Sequence, residues 1–223
     1  MELILVGIAF LIVSLSQMIL RGTYSKYKEE SITTNLSGKE VAQRILNENN
    51  LTDIDIVEIS GELSDNFNNS KRRISLSHDI YNGRTIASCA VAAHECGHAV
   101  QYKVGYVPIK IRNMIVPIVN IGNTLGYIVI AISLAASLTK LFMVGLVLIS
   151  FALIFQLVTL PCEFDASRRA NKMLLEMGLI TNDEQRGTKK MLKAAAFTYV
   201  AGLMSSILQV LRLVYIFSGR RRD

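Results

Sequence analysis

Long apolar blocks, each close to the width of a bilayer, punctuate this chain. Leu3 to Leu20 is uncharged over 18 residues, and no charge occurs between Arg112 and Lys140, between Lys140 and Glu163, or between Lys193 and Arg212. Ile115 to Ala136 and Leu141 to Leu160 are each long enough as helices to cross a hydrocarbon core of about 30 Å, and their short connection predicts a helical hairpin. The first block begins with Glu2 rather than a basic cluster, and no small-x-small cleavage site follows it. It therefore reads as a retained anchor rather than a removed leader. Arg212 interrupts the last block near its end, so that block either crosses with the arginine reaching for the interface or packs partly embedded against the others.

The sizeable polar region, Arg21 to Arg112, carries shorter periodicities. Ser37 is placed to cap a helix through Glu40, Val41, Ile45 and Leu46, and Ile54, Ile56, Val57 and Ile59 supply strand material before Gly61. After the turn-rich Asp65 to Ser70, Ile74 and Leu76 alternate with polar residues, which predicts a half-buried strand. An exposed edge of such a strand would let an extended peptide bind by strand addition. An alanine-dense helix then runs from Thr85 past Val100 until Gly105 and Pro108 end it. A few dozen residues bury little core, so this region is expected to lean on the membrane helices.

Composition agrees with the pattern: 51% of the 223 residues are hydrophobic, more than a soluble domain of this size needs. The net charge of +6 comes from Lys and Arg flanking apolar blocks, the usual companions of anionic head groups in a lipid bilayer. No interleaving of aromatic and basic residues points to nucleic acid as a partner. Arg21, Lys26 and Lys28 border the polar region on one side and Lys103, Lys110 and Arg112 on the other, whereas the central hairpin turn has Lys140 alone. This predicts a multi-pass protein of the cell membrane whose polar region faces the cytoplasm, joined there by the basic segment from Arg168 to Lys193. Arg220, Arg221 and Arg222 run counter to that orientation if the last block spans fully. Cys89, Cys96 and Cys162 form no C-x-x-C pair and suit a reducing compartment.

The chemistry is concentrated in His94-Glu95-Cys96-Gly97-His98, which holds two of the chain's three histidines. Four residues apart on a helix, both imidazoles can reach one metal ion, and the intervening glutamate falls beside the water such an ion would polarise. This reading makes His94 and His98 ligands of Zn2+, with Glu95 as general base. Cys96 points to the far side of the helix and reads as a packing residue. A catalytic zinc takes a third protein ligand, and a carboxylate is the natural candidate, since His78 sits on the strand side. Pro161 can start a helix with Glu163 and Asp165 in its first turn, on the same membrane face as the histidines. Glu163, adjacent to the apolar block and longer in reach, is favoured. Tyr199 and His78 are possible donors to a developing oxyanion.

The H-E-C-G-H stretch with its flanks, together with Gln156-Leu-Val-Thr-Leu-Pro-Cys-Glu-Phe-Asp-Ala-Ser-Arg-Arg-Ala170, resembles the YugP-type family of bacterial membrane zinc metallopeptidases, nearly end to end. More distantly it resembles gluzincins of the HtpX type, whose Glu-x-x-Ala-Asp motif supplies the third ligand. That resemblance lands on Glu163 with Ala166, but position 167 is Ser where the distant relatives have Asp, which removes a carboxylate that would orient a ligating histidine. Asn66 stands where the nearer family would have His, and no role is assigned to it.

The expected fold is a mainly α membrane protein with three to four transmembrane helices and a small α+β zincin-like subdomain at the membrane surface. Its expected parts are an anchor (1–20), the subdomain (21–112), the hairpin (113–160), a helical segment with the third ligand (161–193) and an apolar helix with a basic tail (194–223). The implied activity is a zinc metalloendopeptidase hydrolysing peptide bonds of membrane or membrane-proximal proteins. An intramembrane site-2-type protease and a non-catalytic zinc-binding scaffold are the competing readings. Against the former, the uncharged run from Arg84 to His94 with Lys103 soon after is too short for a crossing centred on the motif.

Overall fold

The computed structural model describes residues 2–136 and 138–220, so Arg221 and Arg222 of the basic tail lie outside the described residues. Among the described residues seven helices and three strands follow one another as α1 (Glu2–Glu29), α2 (Gly38–Glu48), β1 (Asp55–Ile59), β2 (Asn66–Asn68), β3 (Arg73–Ser77), α3 (His78–Asn82), α4 (Ile86–Lys103), α5 (Val107–Ala135), α6 (Thr139–Glu176) and α7 (Glu184–Arg220). Among the described residues four helices are long and apolar enough to cross a membrane: α1, α5, α6 and the Glu184–Ser218 part of α7. With one three-stranded sheet beside them, this is the mainly α membrane protein with a small α+β part that the apolar blocks predict.

The chain forms two compact units. One comprises the chain up to Gln17, Val107–Pro161 and the stretch from Thr198 onward. Its α5 and α6 make the hairpin expected from the two central blocks, and large apolar side chains such as Phe10, Met114, Ile121, Val147 and Leu157 are exposed. In a bilayer those side chains meet acyl chains, so helix association there rests on close packing rather than on the hydrophobic effect. Gly126 and Gly145 supply that packing: a Cβ at Gly145 would lie 2.5 Å from Ile130 Cγ1 and 3.0 Å from the Gly126 carbonyl. Beside them Phe142 stacks on Phe217 with centroids 5.4 Å apart.

The other unit holds Met18–Tyr106 and Cys162–Phe197. Its sheet has the order β1-β3-β2, with β1 parallel and β2 antiparallel to β3. Two sequence expectations change here. The strand at Ile74 and Leu76 is not a half-exposed edge but the centre of the sheet, with Ile74 to Ser77 all buried. The edge next to it is β2, formed by Asn66–Asn68 within the stretch that reads as turn, because strand pairing with Arg73–Ser75 overrides the low strand propensity of asparagine. Ser37 caps α2 as expected, with a complete capping box to Glu40.

One core cluster serves this unit. Val41, Ile45 and Leu46 of α2, Ile74 and Leu76 of β3, and the alanines of α4 pack with Tyr24 and Tyr27 of α1, Ala170 and Leu174 of α6, and Met191 and Leu192 of α7. The ends of three membrane helices therefore complete a core that α2, α4 and the sheet are too small to close alone.

Replacing Gly145 by Val should cost about 1–3 kcal/mol through overpacking against Ile130 and the Gly126 backbone. Gly7→Val, at a position with nothing within 4 Å, serves as control. Thermal unfolding in detergent should show a lower midpoint for the first and an unchanged one for the second.

Candidate metal centre

α4 begins where the Thr85 hydroxyl accepts a hydrogen bond from the Ser88 N–H, and it ends at Val104 ahead of Gly105, whose φ of +67° only glycine adopts freely. Between them almost every residue is buried, which the run of Ala, Ser, Cys and Gly makes sterically possible. One stripe at helical spacing, His94, Gly97, His98 and Gln101, faces a matching stripe of α6, Glu163, Ala166, Ser167 and Ala170. The two backbones touch at the middle of these stripes. A Cβ on Gly97 would sit 2.6 Å from the Ala166 carbonyl oxygen, so a glycine is required for the helices to approach this closely.

That approach brings His94, His98 and Glu163 together, with one donor atom of each within 4.8 Å of the others. Glu163 Oε2 lies 3.2 Å from His94 Nε2 and 3.5 Å from His98 Nε2. Donors about 2.0–2.2 Å from a tetrahedral zinc are about 3.3–3.6 Å apart, so the two carboxylate–imidazole distances are already near the spacing a zinc ion needs. Two imidazoles and one carboxylate are also the donor types zinc takes in catalytic sites, with a fourth position left open. The two rings stand nearly perpendicular, at 84°, and converge through their Nε2 atoms rather than stacking.

The outward nitrogens are held as well. His94 Nδ1 lies 3.3 Å from the Ser167 hydroxyl, and His98 Nδ1 lies 3.0 Å from Gln101 Oε1. Gln101 Nε2 in turn donates to the Cys162 carbonyl at 2.7 Å and to Asp165 Oδ2 at 3.0 Å. Ser167 thus contacts the histidine that a carboxylate at this position would have oriented. Gln101 and Asp165 form a second support that sequence reading missed. Its signal was available: Gln101 lies three residues past His98, on the same face of the helix.

Glu95 is 6% exposed, and burial raises its carboxyl above the ordinary range even though His94 and His98 pull it back. For His98, burial works against the imidazolium, but the Glu163 and Glu95 carboxylates outweigh it and the net shift is upward. Glu95 and the three clustered side chains are thus close enough for their charges to act on Glu95.

The other residues singled out from sequence have settings of their own. Asp165 does not join the cluster but binds Arg168, Arg169 and Gln101. Pro161 does not start a helix; it lies inside α6, which runs unbroken from Thr139 to Glu176, so Glu163 occupies a helix interior rather than a first turn. His78 is exposed at the start of α3 with Nδ1 2.5 Å from the Glu58 carboxylate. Cys96 packs towards the Ala42 carbonyl of α2, and burial raises its thiol well above the usual range, in keeping with an inert packing role. Tyr199 belongs to the other unit, and Asn66 in β2 donates to the Ser64 carbonyl.

A helical membrane protein with a buried two-histidine, one-carboxylate cluster between two helices defines a narrow class. The family described as "Putative neutral zinc metallopeptidase" matches residues 2–218, and the chain belongs to it. It is 36% identical over 208 residues to the "Putative membrane protease YugP" of Bacillus subtilis (strain 168), across 93% of this chain and 92% of that one. No solved structure matches.

If the Gly97–Ala166 contact sets the spacing of the cluster, Gly97→Ala should push α4 from α6 and weaken zinc binding by about tenfold or more. Competition with a chromophoric chelator measures this; an unchanged affinity would show that the close contact is dispensable.

Proposed function

We propose that the chain is a membrane zinc metalloendopeptidase that hydrolyses peptide bonds of membrane or membrane-proximal proteins, with His94, His98 and Glu163 holding the metal and Glu95 acting as general base. The observation that carries this reading is the convergence of the three donors at 3.2 and 3.5 Å directly beside a buried Glu95. A zinc ion bound there supplies a Lewis acid that brings the pKa of a water towards about 7 and polarises the scissile carbonyl. Glu95 accepts the proton of the attacking water on a carboxylate oxygen and returns it to the leaving amine nitrogen. Its raised affinity for a proton suits both halves of that transfer. No covalent intermediate is required.

Two features support an extended substrate at a membrane surface. The edge strand β2 packs near α4, with Phe67 edge-on to Tyr102 at 5.6 Å, so its free side offers backbone groups for strand addition. Glu163 follows by three residues the apolar stretch that ends at Leu160, within one continuous helix. The excess of Lys and Arg bordering residues 21–112 favours a cytoplasmic site by the positive-inside rule. α4 is not among the four helices suited to cross the bilayer, which weighs against an intramembrane site-2-type mechanism. Among the described residues three His, Cys or acidic donors converge rather than the four that usually close a structural zinc site, which favours the catalytic reading.

Glu95→Gln should lower cleavage of fluorescein-labelled casein, free or tethered to a membrane anchor, by about 10²–10⁴-fold while one zinc per chain is retained. Glu163→Gln should lose both zinc and activity. Full activity in the Glu95 variant would sink the mechanism, and a wild-type protein without stoichiometric zinc would favour the scaffold reading.

A further inference from the structure

Gln101 is fully buried, and every polar atom of its side chain amide is directed. The Cys162 carbonyl and the Asp165 carboxylate can only accept hydrogen bonds, so the amide nitrogen must face them, as it does at 2.7 and 3.0 Å. Asp165 is itself fixed by Arg168 and by Arg169, whose Nε lies 2.5 Å from Oδ2. The amide oxygen is then obliged to point at His98 Nδ1, 3.0 Å away. A neutral imidazole carries one donor and one acceptor nitrogen, so an oxygen acceptor at Nδ1 requires the proton there and leaves the Nε2 lone pair directed towards Glu163 Oε2.

We propose that Gln101, anchored by Asp165 and the Cys162 carbonyl, is a positioning residue that fixes the tautomer and ring orientation of His98 for metal binding. The inference rests on the reading that His94, His98 and Glu163 hold zinc. It assigns Asp165, passed over as a ligand, a role at one remove. It also accounts for how a carboxylate influences the site without contacting a ligand: the amide transmits orientation but no charge. Ser167 contacts His94 in the same neutral manner.

The test uses the full chain in detergent, with zinc dissociation constants from chelator competition and the visible absorption of the cobalt-substituted protein. Gln101→Met keeps length and packing but removes the acceptor, and zinc affinity should fall about 10–100-fold with altered cobalt bands. The paired variant Gln101→Glu with Asp165→Asn restores an acceptor at His98 and a donor behind it, and it should return affinity to within about threefold of wild type. A role confined to bridging α4 and α6 predicts at most a partial recovery of affinity and unrestored cobalt bands, because the paired variant, like Gln101→Met, still lacks the bond to the Cys162 carbonyl. Gln101→Leu replaces the methionine variant should that one fail to fold by circular dichroism. Wild-type affinity in the methionine or leucine variant, or a paired variant as weak as either, overturns the proposal. Wild-type protein that takes up no zinc overturns instead the reading on which the proposal rests.

Discussion

The contact of Gly97 with the Ala166 backbone is the constraint on which the rest of this centre depends. Ligand atoms on two rigid helices can meet at one ion only if the helix axes are close, and side-chain length sets how close. His94 and His98 flank the contact on α4, Glu163 and Ser167 flank it on α6, so the same approach that excludes a Cβ at position 97 brings carboxylate to imidazole. Cys96 and the alanines of α4 do the equivalent on its other faces, where α2 and the rest of the core press against it. The small residues around H-E-C-G-H are thus part of its chemistry.

Burying this much charge has a cost that the structure meets locally. Glu95, Glu163 and Asp165 are all buried, and an unpaired carboxylate in such a place is strongly disfavoured. Glu163 is matched to two imidazoles, and Asp165 to two guanidinium groups and an amide. Among the described residues Glu95 has no comparable charge pair, and burial raises its carboxyl above the ordinary range. Two of the three acids are therefore engaged as anions, while the third is poised to carry a proton. That division separates the groups proposed to hold metal and support it from the group proposed to move protons.

Much of this was legible in the sequence because its signals are local. Uncharged blocks announced the membrane helices, the Ser37–Glu40 box announced α2, and the i, i+4 spacing of His94 and His98 placed both rings on one face. Relations between elements were less legible. The strand at Asn66–Asn68 has no sequence signature, since only its partner β3 makes it a strand. Pro161 looked like a helix start because proline lacks an N–H, yet a proline inside an apolar helix is tolerated where neighbouring helices hold the backbone. Glu163 was reached through topology and resemblance, whereas Gln101 was not reached at all. A glutamine has no motif of its own, and its significance appears only when Cys162, Asp165 and His98 surround it.

The division of labour between the polar region and the membrane helices has a thermodynamic consequence. Residues 21–112 supply the two histidines and Glu95, but the core around them is closed by Ala170 and Leu174 of α6 and Met191 and Leu192 of α7, and Glu163 comes from α6. A ligand set drawn from both sources binds a metal tightly only when the helices are assembled, so metal affinity and helix assembly favour each other by linkage. Neither part alone presents the cluster: α4 without α6 offers two histidines on one face, and α6 without α4 exposes a carboxylate, a serine and two alanines. An extramembrane fragment cut at residue 112 would therefore lose Glu163 and part of its core together, which ties the proposed hydrolysis to the membrane-embedded chain.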